Sequence, residues 1–482
     1  MKQDDITSGA VYYSVHLKKW LSKYEERSRV VENQAEDSKS NVTEYPVTID
    51  QLQPGVFIRL TGVRWFDHPF LMNSFKISDK GQIKILRQLG VESVVFVPSK
   101  SDVFPLPLVK DASPTPRIEI KNLEAEELLS EKRKRIEQQR VLRQKIKACE
   151  KRFTASVETV KNVMRDIEGG RLESVHEADI LLTNLIEDLM VEKDATVQLM
   201  SSDAAGGESV FYHSLNVSVL ALMIGREHGL NPADLRILGL GALFHDVGKH
   251  RVPKNVLFKS TPRNKFETDI FRLHPQYGVE TMQPLVESGD FPSAAIEVVR
   301  DHHERIDGSG YPSGRKILSD ITKIVSIVDR YDTLCNNQII EKSVTPHEAL
   351  AFMFSKEKGE FDEILLQRFI AYLGVYPPGT IVKLNNEVTG MVISVNAMNS
   401  LRPSLLIYDP EVPKNEALIF DLSCEAASTL FITSTVRPSQ LPREIYDYLN
   451  PRTRVSYFLS AEDRKQTGAS SETSSGRTIS TK

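Results

Sequence analysis

The chain has 482 residues, of which 40% are hydrophobic and 26% charged, and its formal net charge is −4. This length allows two to four domains, and the small net charge excludes a whole-molecule attraction to DNA or to an acidic membrane. The three cysteines form no CxxC pair, which argues against a disulfide framework. No leader or long apolar run is visible, so we predict a cytoplasmic protein without a membrane span.

The first part of the chain predicts a small domain followed by charged helices. A polar segment over residues 1–46 precedes a small α+β domain over residues 47–110, in which Asp79 is expected to cap a short helix. Residues 111–200 are predicted to form a linker and long charged helices. Within them the basic run Lys132–Arg135 fits a solvated helix face better than a nucleic-acid patch.

The second part predicts a helical domain and a β appendage. Residues 201–373 contain alternating helical segments, residues 374–460 contain short strands, and residues 461–482 are polar and predicted to be disordered. The fold class expected is therefore multidomain. It comprises a mainly α-helical bundle, a small N-terminal α+β domain and a small C-terminal β appendage.

Histidines and acids in the helical region fall on the inward faces or ends of separate predicted helices. Leu235, Leu238 and Ala242 recur at helical spacing, and His245 falls on the same apolar stripe. The adjacent carboxylate, Asp246, would be buried with it, and an isolated buried charge is costly. A hydrogen-bonded core histidine explains one such residue, but the repetition on several helices favours a metal centre. The candidate ligands are His213, His245, Asp246, His274, His302, His303 and Asp329.

The string HHERIDGSGYP at residues 302–312 follows the His245-Asp246 pair. Together they resemble the HD superfamily of metal-dependent phosphohydrolases and, within it, the HD-GYP family. The resemblance covers roughly Ser209 to Leu373. The segment Gly62–Phe70 is similar to a domain of unknown function that often precedes HD-GYP domains.

The resemblance implies hydrolysis of the bacterial second messenger cyclic di-GMP to linear pGpG and, in many members, to GMP. It implies two divalent metal ions, iron or manganese with zinc as a further candidate, bridged by Asp246 and sharing the hydroxide that attacks the ester. Asp246 and Lys249 are the predicted catalytic residues, and Lys249 is either a phosphate-binding cation or a surface lysine.

The remaining candidate residues each have a positioning or substrate-binding role in this prediction. Asp332 is expected either to orient a ligand or to form a local salt bridge, and Glu304 is expected to position the loop. Tyr311-Pro312 either shapes the pocket or fixes the loop. The predicted substrate contacts are Lys249, Asp307, Gly308, Gly310, Tyr311 and Pro312.

Three positions depart from the family pattern. Ser209, with Glu208 beside it, occupies the place of an acid that some members use for a third metal. Lys323 and Gln338 lie where arginines usually grip the substrate phosphates, and neither side chain reproduces a guanidinium fork.

Two alternatives to the active enzyme therefore stay open. One is a cyclic di-GMP receptor with little or no turnover, which signals through the N-terminal domain. The other is an HD phosphohydrolase for another nucleotide. The N-terminal domain and long helix are the predicted surfaces for a homodimer or a signalling protein, and no DNA partner is expected.

Overall fold

The computed structural model describes residues 45–107 without 63–67, 69 and 71, then 123–191, 196–200, 209–337, 342–395, 400–449 and 456–460. Residues 411, 413, 415, 416, 425 and 426 are also outside the description. Most of the predicted polar segment, the linker near residue 111, Glu208, Gln338, most of Gly62–Phe70 and the tail after Ser460 lie outside the described residues.

The N-terminal domain is a four-stranded antiparallel sheet covered by one helix. Its strands are β1 (Tyr45–Thr48), β2 (Phe57–Arg59), β3 (Ser74–Lys76) and β4 (Ser93–Phe96), in the order β1-β4-β2-β3. The helix α1 (Lys80–Gln88) begins where predicted, because the Asp79 side chain accepts a hydrogen bond from the backbone N of Gln82. Its Ile83 and Leu86 are buried in the core of this domain.

The central domain is a bundle of helices around one apolar core. Its helices are α2 (Leu123–Glu168), α3 (Val175–Val191), α4 (Ser209–His228), α5 (Pro232–Phe244), α6 (Lys254–Leu257), α7 (Lys265–Phe271), α8 (His274–Ser288), α9 (Ser293–Asp301), α10 (Asp320–Cys335), α11 (Pro346–Lys356) and α12 (Glu363–Leu373). The buried residues of the core run from Cys149 to Leu373. The helical domain therefore begins well before the boundary at residue 201 that the sequence predicted.

The C-terminal half of α2 and the whole of α3 belong to the helical domain, which is why it begins early. Phe153 and Val160 of α2, and Leu182 and Leu189 of α3, are buried in the same apolar cluster as the helices that follow. These segments were predicted as a linker with charged helices because charged residues dominate their composition. The packing assigns them to the bundle instead.

The C-terminal part is an antiparallel sheet that includes one strand from before the bundle. Its strands are β5 (Thr196–Met200), β6 (Ile381–Leu384), β7 (Thr389–Val395), β8 (Ser404–Ile407), β9 (Leu418–Asp421), β10 (Ile432–Val436) and β11 (Ser456–Ser460), with the helix α13 (Arg443–Leu449) beside them. Strand β5 pairs with β7 and along its whole length with β11. The predicted appendage is therefore present, but it is not confined to residues 374–460.

The predicted fold class is confirmed: a helical domain is joined to an N-terminal α+β domain and to a C-terminal sheet. Within the described ranges, none of the helices combines the length and the apolar character needed to span a lipid bilayer.

Candidate metal centre

The candidate ligands lie at the ends or on the inner faces of five helices that meet in the helical domain. His213 lies in the first turns of α4, and Asp329 lies in the second half of α10. His245 follows the last residue of α5, His274 is the first residue of α8, and the pair at 302–303 follows α9. The seven predicted ligands are therefore neighbours in space although 116 positions separate the first from the last.

The end of α5 directs its ligands into the core. The apolar stripe predicted for this helix is confirmed, since Leu235, Leu238, Ala242 and His245 are all fully buried. The helix ends one residue before His245, and a five-residue 3-10 helix begins at Val247. This helix end places the carboxylate that follows His245 at the centre of the cluster.

Asp246 lies between two groups of imidazoles. Its Oδ2 atom is 3.4 Å from His213 Nε2 and 3.3 Å from His245 Nε2. Its Oδ1 atom is 3.3 Å from His274 Nε2 and 3.7 Å from His302 Nε2. Each carboxylate oxygen thus faces a different pair of ring nitrogens, which is the arrangement of a bridging ligand.

Asp329 lies across the cluster from α10 and also contacts both groups. Its Oδ1 atom is 3.2 Å from His213 Nε2 and 3.7 Å from His245 Nε2. Its Oδ2 atom is 3.6 Å from His303 Nδ1. Two buried carboxylates therefore share the five imidazoles, and their negative charges favour cations in this place.

The hydrogen bonds of the imidazoles fix their tautomers. Each of four rings donates through Nδ1: His213 to Asp332 Oδ2 (2.6 Å), His245 to the Ala242 carbonyl (2.7 Å), His274 to the Phe271 carbonyl (2.8 Å) and His302 to the Val299 carbonyl (3.1 Å). These oxygens can only accept, so in the neutral rings Nδ1 carries the proton and Nε2 presents a lone pair.

The Nε2 atoms nevertheless face each other in pairs. His213 Nε2 is 3.2 Å from His245 Nε2, and His274 Nε2 is 3.3 Å from His302 Nε2. In the neutral rings, two lone pairs at this separation repel each other unless a cation lies within reach of both. Among the described residues, the buried Asp246 Oδ1 and His303 Nε2 also have no hydrogen-bond partner.

These observations fit two divalent cations. The ligand atoms form two groups, one of Asp246, His274, His302 and His303 and the other of His213, His245 and Asp246, with the atoms of each group within 4.8 Å of one another. Nitrogen and oxygen ligands of this kind suit iron, manganese or zinc. The residues present therefore match the cofactor expected from the sequence, without deciding which metal binds.

The ligands differ in how readily they give up a proton. Burial and the neighbouring His245 lower the pKa of His302 to about 3. Burial also acts to lower the pKa of His245, but the adjacent Asp246 outweighs it and raises that pKa to about 9. Burial acts to raise the pKa of Asp246, but Lys249 and His245 hold it well below its usual value. At neutral pH, His302 and Asp246 are therefore ready to bind a cation, whereas at His245 the cation must displace a proton.

A cavity of about 220 Å³ opens beside the ligands. Its lining includes Ser209, Val210, Tyr212, His213, Asn216, Asp246, Lys249, Arg263, Phe271, His303, Asp329, Asp332, Thr333, Asn336 and Asn337. Lys249 forms an ion pair with Asp246, so its ammonium group lies at the edge of the metal cluster. Lys323 lies elsewhere, since its ammonium group is 3.0 Å from Asp320 and 3.2 Å from Asp362.

Asp332 has the geometry of a residue that orients a ligand. It is fully buried, and its Oδ2 atom accepts the hydrogen bond from His213 Nδ1. Its Oδ1 atom accepts hydrogen bonds from the side-chain amides of Asn216 and of Asn336, the latter at 2.9 Å. Asp332 thus contacts the candidate ligand His213 rather than a lysine or arginine, which favours the orienting role over a local salt bridge.

The loop after His303 is held by Glu304. This side chain is fully buried, and it accepts hydrogen bonds from the backbone N of Ser313 (2.7 Å) and of Arg315 (3.0 Å). Tyr311 stacks on the His303 ring with the centroids 4.6 Å apart. Glu304 therefore holds the loop through its backbone, and Tyr311 packs on the candidate ligand His303.

The other loop residues predicted as substrate contacts have different surroundings. Asp307 is exposed and accepts a hydrogen bond from the backbone N of Ser309 (2.9 Å). A Cβ atom on Gly310 would lie 2.5 Å from the Glu304 Cα atom, so this glycine is needed for close packing of the loop. Asp307, Gly308, Gly310, Tyr311 and Pro312 are not among the cavity-lining residues, and their contact with substrate stays a prediction.

Sequence analysis did not single out several residues of the cavity. Asn216 is three positions after His213 on α4, so helical spacing could have placed it next to that ligand. Arg263 and Phe271 carried no such signal, because Arg263 lies in a loop and reaches the cavity only through the tertiary fold.

Comparison with known proteins agrees with this arrangement. Residues 46–178 match the family model described as a domain of unknown function (DUF3391), and residues 184–365 match the model described as an HD domain. The cyclic di-GMP phosphodiesterase PA4108 of Pseudomonas aeruginosa is 25% identical over 75% of this chain and 84% of its own length.

Two further relatives match about a third of the chain. The cyclic di-GMP phosphodiesterase response regulator RpfG of Xanthomonas campestris is 30% identical over 33% of this chain and 41% of its own length. The 3'3'-cGAMP-specific phosphodiesterase 1 of Vibrio cholerae is 28% identical over 35% of this chain and 39% of its own length. The chain therefore contains an HD domain and, in front of it, a DUF3391 domain.

Proposed function

We propose that this chain is a metal-dependent phosphodiesterase that hydrolyses cyclic di-GMP to linear pGpG. The observation that carries the proposal is the facing pairs of imidazole Nε2 atoms around Asp246, beside a cavity with cationic side chains. The facing lone pairs call for two cations, and a pair of cations next to an open cavity suits hydrolysis of an anionic ester.

The residues of the chain would position the cations and the substrate. His213 and His245 would hold one cation, His274, His302 and His303 would hold the other, and Asp246 would bridge them. Iron or manganese bound there would activate water near neutral pH and would stabilise charge on the phosphate oxygens. Lys249, which is ion-paired with Asp246, would bind a phosphate oxygen of the ester.

The names of the relatives support this substrate class. Two of them are called cyclic di-GMP phosphodiesterases, and the first of these aligns with most of both chains. The third acts on 3'3'-cGAMP by its name, which makes another cyclic dinucleotide the second candidate. A receptor with little turnover is the third candidate, because Lys323 is engaged by two carboxylates and does not line the cavity.

A turnover assay with metal analysis tests the proposal. The full chain, purified without oxygen and supplied with Mn²⁺ or Fe²⁺, is expected to release pGpG from cyclic di-GMP and to lose this activity on chelation. Asp246→Ala removes the bridging carboxylate, so metal content should fall and turnover should drop more than ~100-fold. Asp320→Ala, which changes an exposed carboxylate at the start of α10, should leave both unchanged.

Each other outcome has a clear meaning. Binding of cyclic di-GMP without product would favour the receptor, and turnover of 3'3'-cGAMP alone would favour the second substrate. Unchanged turnover and metal content in Asp246→Ala would contradict the proposal. The ratio of pGpG to GMP in the product would decide whether the linear dinucleotide is hydrolysed further.

A further inference from the structure

Among the candidate metal ligands in the described part of the chain, His303 is the one histidine whose ring is not oriented by a hydrogen bond. The other four imidazoles each donate from Nδ1 to a fixed oxygen. Within the described residues, His303 Nε2 is buried without a hydrogen-bond partner. Its Nδ1 atom is 3.6 Å from Asp329 Oδ2, which is too far for a hydrogen bond. Rotation of an imidazole about its last side-chain bond is only weakly restricted, so the orientation of this ring depends on packing.

Aromatic contacts supply that packing. The Tyr311 ring stacks on the His303 ring, with the centroids 4.6 Å apart and 28° between the planes. The His274 ring meets the His303 ring edge to face, with the centroids 5.0 Å apart. A ring that packs against a stacked neighbour and a perpendicular neighbour cannot rotate without losing one of these contacts. Tyr311 therefore restricts the rotation of a ligand that lacks a hydrogen bond of its own.

The Tyr311 ring is in turn held from the turn that precedes α8. The Arg272 guanidinium lies over this ring, with Cζ 5.0 Å from the centroid. Arg272 follows the last residue of α7 and lies two positions before His274, the first residue of α8. The contact therefore joins the turn that leads into one candidate ligand to the ring that packs on another.

We propose that Tyr311 and Arg272 are positioning residues for His303. The Tyr311 ring sets the orientation of the imidazole, and Arg272 holds Tyr311 in place. The rings that contact Tyr311 are those of His303 and His274, which belong to the same group of ligands. The effect is therefore expected at the cation of this group alone. The inference rests on the two-cation part of the proposed function and is independent of which dinucleotide is hydrolysed.

Substitutions that keep or remove the Tyr311 ring separate this role from a general effect on the loop. Tyr311→Phe keeps the ring, Tyr311→Leu removes it, and Arg272→Gln removes the guanidinium that contacts it. The control for Tyr311→Leu is Tyr376→Leu, because Tyr376 also stacks on a buried histidine, His347. The control for Arg272→Gln is Arg251→Gln, because the Arg251 guanidinium also lies over a tyrosine ring, 4.4 Å from its centroid. Neither control residue belongs to the ligand groups or to the cavity lining.

A Mn²⁺ titration of the metal-free full chain gives the measurement, with free Mn²⁺ counted by electron paramagnetic resonance. The wild type and both controls should bind two ions with the same affinities. In Tyr311→Leu one of the two ions should bind about 10- to 100-fold more weakly, the usual effect of losing a residue that orients a ligand. The other ion should bind as in the wild type. Tyr311→Phe should match the wild type. Arg272→Gln should weaken one ion by about two- to fivefold, as expected for an exposed contact between a cation and a ring.

Wild-type affinity for both ions in Tyr311→Leu, or equal weakening of both, would overturn the proposal. So would an equal loss in Tyr311→Phe and Tyr311→Leu, since the hydroxyl group rather than the ring would then be responsible. If metal-free Tyr311→Leu melts at a lower temperature than the wild type, Arg272→Gln decides in its place: one weaker ion supports the proposal and unchanged binding overturns it.

The titration needs no turnover, so it separates this proposal from the proposed function. A wild type that binds two ions but does not cleave cyclic di-GMP would contradict the proposed substrate, and the affinities of the variants would still decide the role of Tyr311 and Arg272. A wild type that binds fewer than two ions would overturn the positioning role directly.

Discussion

At the scale of single residues, the orientation of His213 depends on one buried carboxylate. Asp332 accepts the hydrogen bond from His213 Nδ1 at 2.6 Å and is itself held by Asn216 and Asn336. This contact keeps the proton on Nδ1 and directs Nε2 toward Asp246 and Asp329. Partners that orient metal-ligating histidines typically contribute 10- to 100-fold to metal affinity or activity. Replacing Asp332 by Asn, which has nearly the same shape, therefore tests whether this contact orients His213.

We expect Asp332→Asn to lower turnover by ~10- to 100-fold, because an amide either competes as a donor or leaves His213 without a negative partner. Turnover at saturating Mn²⁺ and the Mn²⁺ dissociation constant provide the measurement. Asp320→Asn, an exposed change on the same helix, serves as the control. Wild-type values for both quantities in Asp332→Asn would show that the contact is dispensable.

The sequence indicated which histidines and acids meet in the bundle, but it did not indicate the cavity beside them. His245 was recognisable because it continues the stripe of Leu235, Leu238 and Ala242, and burial of that stripe is decided by helical periodicity alone. Arg263 was not recognisable, because its place beside Phe271 depends on how a loop packs. Periodic patterns encode which face is buried, but they do not encode which loop side chains meet across a cavity.

His347 is a buried histidine that links the bundle to the segment before the C-terminal sheet. Its Nδ1 atom lies 2.8 Å from the Val375 carbonyl, and its ring stacks on Tyr376. Burial lowers its pKa below the usual value of the unfolded chain. When the pH falls below the pKa of the unfolded chain, His347 binds a proton in the unfolded state but stays neutral in the folded state. The free energy of unfolding therefore decreases as the pH falls toward the folded-state pKa.

We therefore expect the melting temperature to fall less between about pH 7.5 and about pH 5 in His347→Gln than in the wild type. Thermal denaturation with saturating metal provides the measurement, and His176→Gln changes an exposed histidine as the control. A parallel fall in the wild type and both variants would mean that His347 does not contribute to the pH dependence.

At the scale of secondary-structure elements, the 3-10 helix after Asp246 packs against α8 at a glycine contact. A Cβ atom on Gly248 would collide with the backbone carbonyl of His274 and the backbone N of Gly278. Backbone atoms on α8 cannot move aside as a flexible side chain would. The segment that carries His245 and Asp246 can therefore approach the segment that carries His274 only if residue 248 lacks a side chain.

We expect Gly248→Ala to destabilise the fold by about 1–3 kcal/mol or more and to reduce metal content, because it forces the two ligand-bearing segments apart. Denaturant unfolding and metal analysis test this. Gly359→Ala is the control, since a Cβ atom there meets nothing within 4 Å. Equal stability and metal content in the two variants would contradict the packing argument.

Two elements illustrate what the sequence could not predict. The buried residues Phe153, Val157 and Val160 of α2 follow helical spacing, but the charged residues around them dominate the composition and suggested a solvated linker helix. Strand β5 pairs with β11 from the other end of the chain. A five-residue strand without a nearby partner gives a weak local signal, so its place in the C-terminal sheet emerges only in the tertiary fold.

At the scale of the whole molecule, the N-terminal domain contacts the C-terminal sheet through the segment before β3. Met72 is 5% exposed and packs in the apolar cluster of that sheet, with Val382 and Val392. The next residue, Asn73, donates a hydrogen bond to Asp409 at 3.4 Å. The domain that precedes the bundle in sequence is therefore in contact with the sheet that follows it, although the metal centre itself is built from the helices.

Because Met72 is the apolar anchor of this contact, Met72→Ala should weaken the attachment of the N-terminal domain by about 2–5 kcal/mol. Small-angle scattering should then give a larger radius of gyration, and limited proteolysis should cleave between the domains sooner. Phe104→Ala, which changes an apolar side chain that is 76% exposed on the same domain, should behave as the wild type. Metal content should be unchanged in both, since the ligands lie on the bundle. If Met72→Ala and Phe104→Ala have the same radius of gyration and the same rate of cleavage, other contacts hold the domains together.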